Sequence, residues 1–365
     1  MTVPLERFRA PELVRALAAA IAAAADHLGH TRIMHICGTH EHELQRFALR
    51  QLLPSNLELI AGPGCPVCIT PAAAILTARR LALSASRPIL ATYGDILRVP
   101  TTEGTLLDGR QQGGDIRLVS GPADAVRLAH ENPGREVVFF SIGFETTAAP
   151  VAAILTRGVP SNLSLYTCHR YVPAAVETLV AADADGSLAG FLLPGHASVI
   201  TGTVAYRFLP EKFGRAAATT GFEPVDILRG ILAIVKQLRG GSPTVQNCYE
   251  RAVRECGNIK AQEAIARAFD RTDALWRGIG LLPGTGFELK PEWRSFSARE
   301  RFLLMEEAAE DILPGCSCHL IMLGKRKPDE CPLFGKECTP VHPRGPCMVS
   351  QEGTCRAWYL FRESS

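Results

Sequence analysis

From residue 32 to residue 193 the sequence alternates short apolar runs with longer stretches that carry apolar residues at helical spacing. This alternation indicates βαβ units, in which parallel strands are connected by helices that pack on the sheet. It predicts an α/β fold with Rossmann-like parallel sheets. Strands are predicted at 33–37, 57–61, 88–92, 116–120, 137–142, 163–167 and 190–193. Helices are predicted between them at 41–53, 71–83, 123–130, 147–157 and 173–182.

A turn-rich stretch, 99–115, separates the alternating region into two halves of similar plan. In each half a strand runs into a turn that contains glycine and glutamate, at 36–41 and at 142–147. Beyond Pro224 the pattern changes, and helices are predicted at 225–238, 245–256, 262–276 and 298–312. We therefore expect two similar Rossmann-like domains and a mostly helical C-terminal domain with a cysteine-rich tail, bounded at 1–115, 116–223 and 224–365.

Charge balance, hydropathy and cysteine content exclude several classes of function for this chain. Lysine plus arginine number 39 against 37 for aspartate plus glutamate, and no basic run resembles a phosphate-binding stripe, which argues against nucleic acid as a partner. The N-terminus lacks the pattern of a signal peptide, and no run of about 18 uncharged apolar residues predicts a membrane span. We therefore expect a cytoplasmic protein. In a reducing compartment, twelve cysteines indicate metal binding or redox chemistry rather than a disulfide framework.

Three cysteines follow the first two predicted strands: Cys37 ends the first, and Cys65 and Cys68 follow the second. Because ligands bind beyond the carboxyl ends of parallel strands, all three should open onto one crevice. The C-x-x-C pair lies just before a predicted helix, whose macrodipole lowers a thiol pKa. The pair can cycle between dithiol and disulfide, or hold a soft metal such as Fe(II) together with Cys37. Simple packing of buried cysteines is the alternative, but it does not require the preceding turn at Gly62-Pro63-Gly64.

His40 and Glu41 follow Cys37 by three and four residues. If the helix begins near Thr39, which can cap it, both side chains lie in its first turn beside the thiols. They are then candidates for proton donor or acceptor, or for hydrogen-bond partners of metal ligands. Acidic residues are also favourable at any helix N-terminus, which is the interpretation preferred for Glu43.

The tail holds four cysteines in a stretch rich in proline and glycine that cannot build an apolar core of its own, so a bound metal centre is the obvious source of order. These are Cys331, Cys338, Cys347 and Cys355. Their spacing matches neither zinc-finger pairs nor the run of bacterial ferredoxins, but four thiolates complete a site for zinc or for iron–sulfur. The absence of C-x-x-C pairs and the similar loop lengths favour an iron–sulfur cubane.

The remaining cysteines are interpreted separately. Cys316 and Cys318 form a C-x-C just upstream of the tail set and rank second as ligands. Cys168, Cys248 and Cys256 are isolated along the chain and are assigned to packing.

Several longer motifs resemble the HypD family of [NiFe]-hydrogenase maturation proteins from about residue 30 to the end of the chain. They are Cys37-Gly38-Thr39-His40-Glu41, Gly62-Pro63-Gly64-Cys65-Pro66-Val67-Cys68, Gly143-Phe144-Glu145-Thr146-Thr147, Leu193-Pro194-Gly195-His196 and the tail from Cys331 to Cys355. The resemblance implies a cytoplasmic scaffold on which the Fe(CN)2CO unit of the hydrogenase active site is assembled. It also implies two partners, a small chaperone of the HypC type and a cyanide donor of the HypE type.

The same resemblance assigns roles to residues of this sequence. It implies that the four tail cysteines hold a [4Fe-4S] cluster, that Cys65 and Cys68 are a redox-active pair, and that Cys37 helps to hold transient Fe(II) carrying cyanide and carbon monoxide. Two other functions remain open at this point. One is a thiol–disulfide oxidoreductase that depends on an iron–sulfur cluster, and the other is a non-catalytic protein with structural zinc.

Overall fold

The structure is a computed structural model that describes residues 5–362. Its strands are β1 (Thr31–His35), β2 (Leu57–Ala61), β3 (Ile89–Thr92), β4 (Ile116–Leu118), β5 (Val137–Gly143), β6 (Leu163–His169), β7 (Leu188–Pro194), β8 (Ala216–Thr220), β9 (Val245–Asn247), β10 (Phe269–Trp276) and β11 (Gly280–Leu289). All seven strands predicted from the sequence are present, and the architecture is α/β with two parallel sheets.

Helices are present in all five intervals predicted between the strands, but the interval 41–53 is divided between an α-helix and a 3-10 helix, and further short helices lie outside these intervals. The α-helices are α1 (Pro11–Ala25), α2 (Gly38–Arg46), α3 (Pro66–Ile69), α4 (Ala72–Leu83), α5 (Leu106–Gln111), α6 (Pro122–Glu131), α7 (Glu145–Arg157), α8 (Val172–Ala181), α9 (Gly195–Thr201), α10 (Phe208–Phe213), α11 (Pro224–Gly240), α12 (Ile259–Ala268), α13 (Ala298–Arg301), α14 (Cys318–Met322), α15 (Pro346–Val349) and α16 (Thr354–Phe361). Short 3-10 helices lie at Leu5–Arg9, Leu49–Leu52, Asp95–Arg98, Val204–Tyr206, Pro291–Phe296 and Pro328–Glu330.

The two parallel sheets interleave along the chain. The first has the strand order β2-β1-β7-β8-β9 and the second has the order β4-β3-β5-β6. The chain therefore leaves the first sheet after β2, builds the second, and returns to the first at β7. The predicted boundaries at 115 and 223 do not coincide with this division, because residue 115 lies within the second sheet and β9 of the first sheet lies beyond 223. The turn-rich stretch at 99–115 indicates that the chain changes direction there. It does not reveal which strands pair with one another, and that pairing defines the sheets.

The central strands are buried on both faces. Every residue of β5 and β6 is buried, and helices cover both sides of their sheet. Such strands read as continuous apolar runs rather than as an alternation, which is why the sequence predicts them well.

The C-terminal third differs from the mostly helical domain that we expected. Only the first of its four predicted helices is found in full, as α11. Residues 245–256 contain the short strand β9, and the predicted helix at 262–276 stops at Ala268, where β10 begins an antiparallel hairpin with β11. The helix predicted at 298–312 ends at Arg301. Phe269, Ala274 and Trp276 are the buried residues of β10. Their spacing in the sequence does not follow a simple strand alternation, because burial here depends on tertiary packing.

The final segment packs back on the beginning of the chain. Helix α16 contacts α2, and α15 contacts α3, so the cysteine-rich tail covers the carboxyl ends of β1 and β2. Among the described residues, 5–362, none of the helices is long and apolar enough to cross a membrane.

Candidate functional site

Cys37, Cys65 and Cys68 line one small cavity at the carboxyl ends of β1 and β2. The strand order predicts this meeting, since loops after neighbouring parallel strands emerge at the same edge of the sheet. Residues from the far end of the chain, among them Cys347 and Glu352, complete the wall. The cavity has a volume of only about 10 Å³, which is the room that roughly one water molecule needs.

Cys65 and Cys68 are joined by a disulfide, with their Cα atoms 5.3 Å apart. Cys65 is the N-cap of the short helix α3, and its sulfur accepts a hydrogen bond of 3.2 Å from the backbone N–H of Cys68. The pair therefore belongs to its own helical turn and does not cap the longer α4, which begins at Ala72. Gly64 lets the loop before the pair touch the backbone of Cys37, because a side chain there would overlap that backbone.

The thiol of Cys37 is buried and protonated at neutral pH. Burial, with a further contribution from the nearby Glu352 carboxylate, raises the pKa of Cys37 to about 12. Cys37 rather than Thr39 is the N-cap of α2. The predicted capping role of Thr39 is wrong, because its hydroxyl instead donates a hydrogen bond of 3.1 Å to Oε1 of Glu352.

Glu352 is a site residue that sequence analysis missed. It lies between two tail cysteines, and no sequence signal places it near Cys37, so only the fold brings the two residues together. Its carboxyl is largely buried, and burial raises its pKa above the ordinary value. A buried carboxyl next to a buried thiol is suited to exchange a proton with it.

Glu41 is buried, and its carboxylate is held in a hydrogen-bonded network. Burial alone would raise the pKa of Glu41, yet Arg50 and His35 together hold it well below its usual range. Oε2 lies 2.7 Å from both His35 Nε2 and Arg50 Nη2, and Oε1 accepts a hydrogen bond of 2.8 Å from the indole of Trp358. The network links β1 and α2 to the C-terminal helix α16.

His40 also lies outside the thiol cavity. Its Nε2 is 3.0 Å from the carbonyl oxygen of Gly221 and 3.0 Å from the hydroxyl of Thr220, at the carboxyl end of β8. Burial lowers its pKa to about 3, so the imidazole is neutral. The structure therefore does not place His40 or Glu41 in direct contact with the cavity that Cys37 lines.

The tail cysteines are buried in a single apolar cluster with side chains of α4 and β5. Cys331, Cys338, Cys347 and Cys355 all belong to it, and so does Cys318. The thiol of Cys347 shares hydrogen bonds with Cys318 and Cys355, which lower its pKa to about 6. Burial raises the pKa of Cys338 to about 11.

The C-x-C thiols, Cys316 and Cys318, meet the same cluster of sulfurs. They share a hydrogen bond that raises the pKa of Cys316. Both sulfurs lie against Gly345, where a Cβ would stand 2.5 Å from Sγ of Cys318 and 2.7 Å from Sγ of Cys316. The neighbouring N–H of Arg344 donates a hydrogen bond of 3.3 Å to Sγ of Cys338. Cys316 and Cys318, which the sequence analysis ranks second as metal ligands, therefore lie beside the four predicted ligands.

The donor set fits an iron–sulfur cluster in its chemistry. Six sulfur side chains in a mostly buried, apolar setting with backbone N–H groups nearby are the surroundings in which such clusters are held. Within the described range 5–362, no group of three or more Cys, His, Asp or Glu side chains is arranged to hold a single metal ion.

Together, the fold and the cavity define a class: an α/β thiol protein in which a C-x-x-C disulfide and a cysteine-rich C-terminal segment share one cavity. Comparison with known proteins makes this specific. The HypD family model, described as the hydrogenase formation hypA family, matches residues 12–362. The chain belongs to the HypD family of hydrogenase maturation factors.

Individual relatives agree over almost the full length. Hydrogenase maturation factor HypD2 of Bradyrhizobium diazoefficiens is 41% identical, with 98% of this chain and 96% of the relative aligned. Hydrogenase maturation factor HypD of Escherichia coli is 40% identical, with 98% of each chain aligned. HypD of Rhizobium leguminosarum bv. viciae is also 40% identical, over 98% of this chain and 95% of the relative.

Proposed function

We propose that this chain is the scaffold on which the Fe(CN)2CO unit of the [NiFe]-hydrogenase active site is assembled, and that its thiols supply electrons for cyanide transfer. Membership of the HypD family supports a role in hydrogenase maturation. The observation that carries the finer proposal is the shared cavity. Cys37, the disulfide of Cys65 and Cys68, and Cys347 of the tail all line it.

Cys37 is the residue that holds the incoming iron. A thiolate is a soft ligand that suits low-spin Fe(II) with cyanide and carbonyl ligands. Because the free thiol of Cys37 is protonated at neutral pH, binding iron must release its proton. Glu352, beside Cys37 and with a raised pKa, is positioned to take up that proton.

The pair of Cys65 and Cys68 serves as the two-electron reductant. Cyanide delivered on a carrier sulfur is released when two electrons break the S–CN bond, so that the carrier leaves as a thiolate and cyanide joins the iron. The reduced pair provides these electrons by forming its disulfide and loses two protons, one of which neutralises the carrier thiolate while the other passes to solvent. The disulfide of Cys65 and Cys68 is the oxidised form that this step would produce.

We propose that four of the tail cysteines hold a [4Fe-4S] cluster. The predicted set is Cys331, Cys338, Cys347 and Cys355. When bound, such a cluster supplies one-electron transfer at low potential, which is what renewed reduction of the disulfide needs. Because Cys347 also lines the thiol cavity, we consider a second set in which it is replaced by Cys316, whose thiol is hydrogen-bonded to Cys318 and acts electrostatically on Cys338.

The proposal includes two partners and a compartment. A small chaperone of the HypC type would share the iron with Cys37, and a cyanide donor of the HypE type would bring its carrier sulfur to the cavity. In the cytoplasm, cellular thiols keep the C-x-x-C pair reducible.

Infrared spectroscopy tests the assembly function directly. The chain, purified without oxygen together with its small partner from cells that make the hydrogenase, should show cyanide and carbonyl stretching bands. Cys37→Ala should abolish the bands. Cys248→Ala, which removes an equally buried thiol from a different core cluster, should retain them. A C37A protein that keeps both bands would refute the role of Cys37.

A thiol–disulfide oxidoreductase is the second candidate, and the disulfide beside Cys347 is the observation that favours it. Reduction of a protein disulfide needs Cys65 and Cys68 but not Cys37. If C37A retains full disulfide reductase activity while the hydrogenase still matures, the oxidoreductase is the better description. Loss of maturation in C37A with reductase activity intact supports assembly.

A further inference from the structure

A second cavity, of about 500 Å³, lies at the carboxyl ends of β5 and β6. Its volume is typical of sites that bind small molecules. It shares no lining residue with the thiol cavity. Residues of α7, α9, α12 and the β10–β11 hairpin form its wall, so it lies where the two parallel sheets and the C-terminal part of the chain meet. Its lining includes Glu145, Tyr171, Ile265, Arg271 and Lys290.

An incompletely paired carboxyl lies in the wall of this cavity. Glu145 is fully buried, and its Oε1 accepts a hydrogen bond of 2.7 Å from the backbone N–H of Val172. Its Oε2 has no hydrogen-bond partner among the described residues. Burial raises the pKa of Glu145 to about 8, and a cationic group bound beside it would favour the ionised form that accepts hydrogen bonds. A buried carboxyl oxygen without a partner costs free energy, which a ligand that donates a hydrogen bond would recover.

Cations lie at another part of the wall. The guanidinium carbon of Arg271 stands 4.5 Å from the centre of the Tyr171 ring. Nζ of Lys290 lies 3.8 Å from Oδ1 of the mostly exposed Asp270. Asp270 can therefore neutralise Lys290 but leaves the charge of Arg271. Glu145 and Arg271 both act electrostatically on Tyr171. Burial and then the Glu145 carboxylate raise the pKa of Tyr171, and Arg271 lowers it.

Part of the wall beside the charged groups is apolar. It contains side chains from α9, α12 and the hairpin strands, namely Ile200, Ile265, Phe269 and Phe287. A ligand with a compact hydrocarbon body would bury that body here. A wholly apolar ligand would leave the Glu145 oxygen unpaired, and a simple anion would have no group to donate to it.

We propose that this cavity binds a compact amine-bearing carboxylate of the class of an apolar α-amino acid, with its ammonium group at Glu145 and its carboxylate at Arg271 and Lys290. The proposal does not depend on the assembly function, because it uses none of the cysteines. Each polar end of such a ligand meets a group of opposite charge or a free acceptor, and the hydrocarbon body contacts the apolar wall.

Calorimetric titration of the full-length protein with leucine and two analogues tests the ligand chemistry. One analogue, 4-methylpentanoate, lacks the amine, and the other, 3-methylbutylamine, lacks the carboxylate. Leucine should bind saturably, and each analogue should bind at least tenfold more weakly. Equal binding of leucine and 4-methylpentanoate would overturn the role of Glu145. Failure of leucine, isoleucine, valine and phenylalanine to bind would overturn the proposal as a whole.

Variants test the residues. Glu145→Gln preserves the acceptor for Val172 and should weaken leucine binding at least tenfold, as should Arg271→Gln. The matched control is Arg229→Gln, because Arg229 lines a separate groove beside α11. It should leave binding unchanged. Unfolding temperatures of all three variants would show whether a loss reflects misfolding, and a folded E145Q protein with wild-type affinity would contradict the proposal.

Discussion

Thr39 donates a hydrogen bond of 3.1 Å to Glu352, although the two residues are 313 positions apart in the chain. Thr39 belongs to the first turn of α2, and Glu352 belongs to the tail that packs over it. This contact fixes the tail carboxyl beside Cys37, so the cavity of the front cysteines is complete only when the two ends of the chain meet.

Replacing Glu352 should change the reactivity of Cys37. A carboxylate near a thiol disfavours the thiolate, so Glu352→Gln should lower the pKa of Cys37 and increase its alkylation by iodoacetamide at pH 8 several-fold. Mass spectrometry of the Cys37 peptide over time measures the rate. Glu337→Gln, an exposed change in the same tail, should leave the rate as it is. A slower reaction in E352Q would contradict the inferred electrostatics.

Gly38 marks the closest approach between α2 and the tail. A Cβ at this position would overlap Glu352, with its backbone carbonyl carbon only 2.9 Å away. Gly38→Ala should therefore push the tail away and destabilise the protein by about 1–3 kcal/mol. Urea denaturation measures this cost, and limited proteolysis should cut the displaced tail faster. Gly29→Ala, with open space around the new methyl group, is the control and should cost far less.

Glu41 should contribute to stability rather than to redox chemistry. Glu41→Gln leaves Arg50 without its ion-pair partner in a mostly buried network and should cost about 3 kcal/mol of unfolding free energy. Glu43→Gln, which removes an ion pair to the half-exposed Arg46, should cost less than about 1 kcal/mol. Chemical denaturation at pH 7 compares the two variants. An E41Q protein as stable as E43Q would show that the network contributes little.

The same carboxylate predicts a pH dependence. Because the pKa of Glu41 is lower in the folded protein than its ordinary value of 4.5, its stabilising effect is fully present above that value. The effect is lost as the pH falls further, toward the folded pKa. Between pH 5 and pH 3 the wild-type protein should therefore lose more unfolding free energy than E41Q, and equal losses would refute the assignment.

Alanine variants of the tail should identify the cluster ligands. Cys331→Ala, Cys338→Ala and Cys355→Ala should each lose the brown colour and most of the acid-labile sulfide, because both ligand sets contain these residues. Cys316→Ala and Cys347→Ala distinguish the sets, since only one of them should lose iron. Iron and sulfide analysis after anaerobic purification provides the measurement. Stoichiometric zinc without sulfide in the wild-type protein would exclude the cluster.

Sequence patterns predict much of this fold because the signals are local. Strands such as β5 and β6 are apolar throughout, and the helices between them carry their own periodicity. Strand β10 falls where the end of a helix is predicted, because its inward residues depend on a partner strand that periodicity does not reveal. The same holds for the interleaved sheets, since strand order depends on pairing between distant segments.

The site divides in the same way. Cys37, Cys65 and Cys68 could be brought together from the sequence, because each follows one of two strands that prove to be neighbours. His40 and Glu41 could not be placed, since the direction of a side chain on a helix depends on what packs around it. Here Thr220 and Gly221 of the first sheet hold His40, and Trp358 of the tail contacts Glu41.

By itself, the sequence determined the α/β class, the positions of the buried strands and the cysteine sets, because apolar periodicity and residue type act over a few neighbouring positions. Only the tertiary structure decided that the tail covers the front thiols and places Glu352 and Cys347 in their cavity. Those contacts join residues roughly 300 positions apart, and they form because the tail lacks an apolar core of its own and buries its side chains against the rest of the chain.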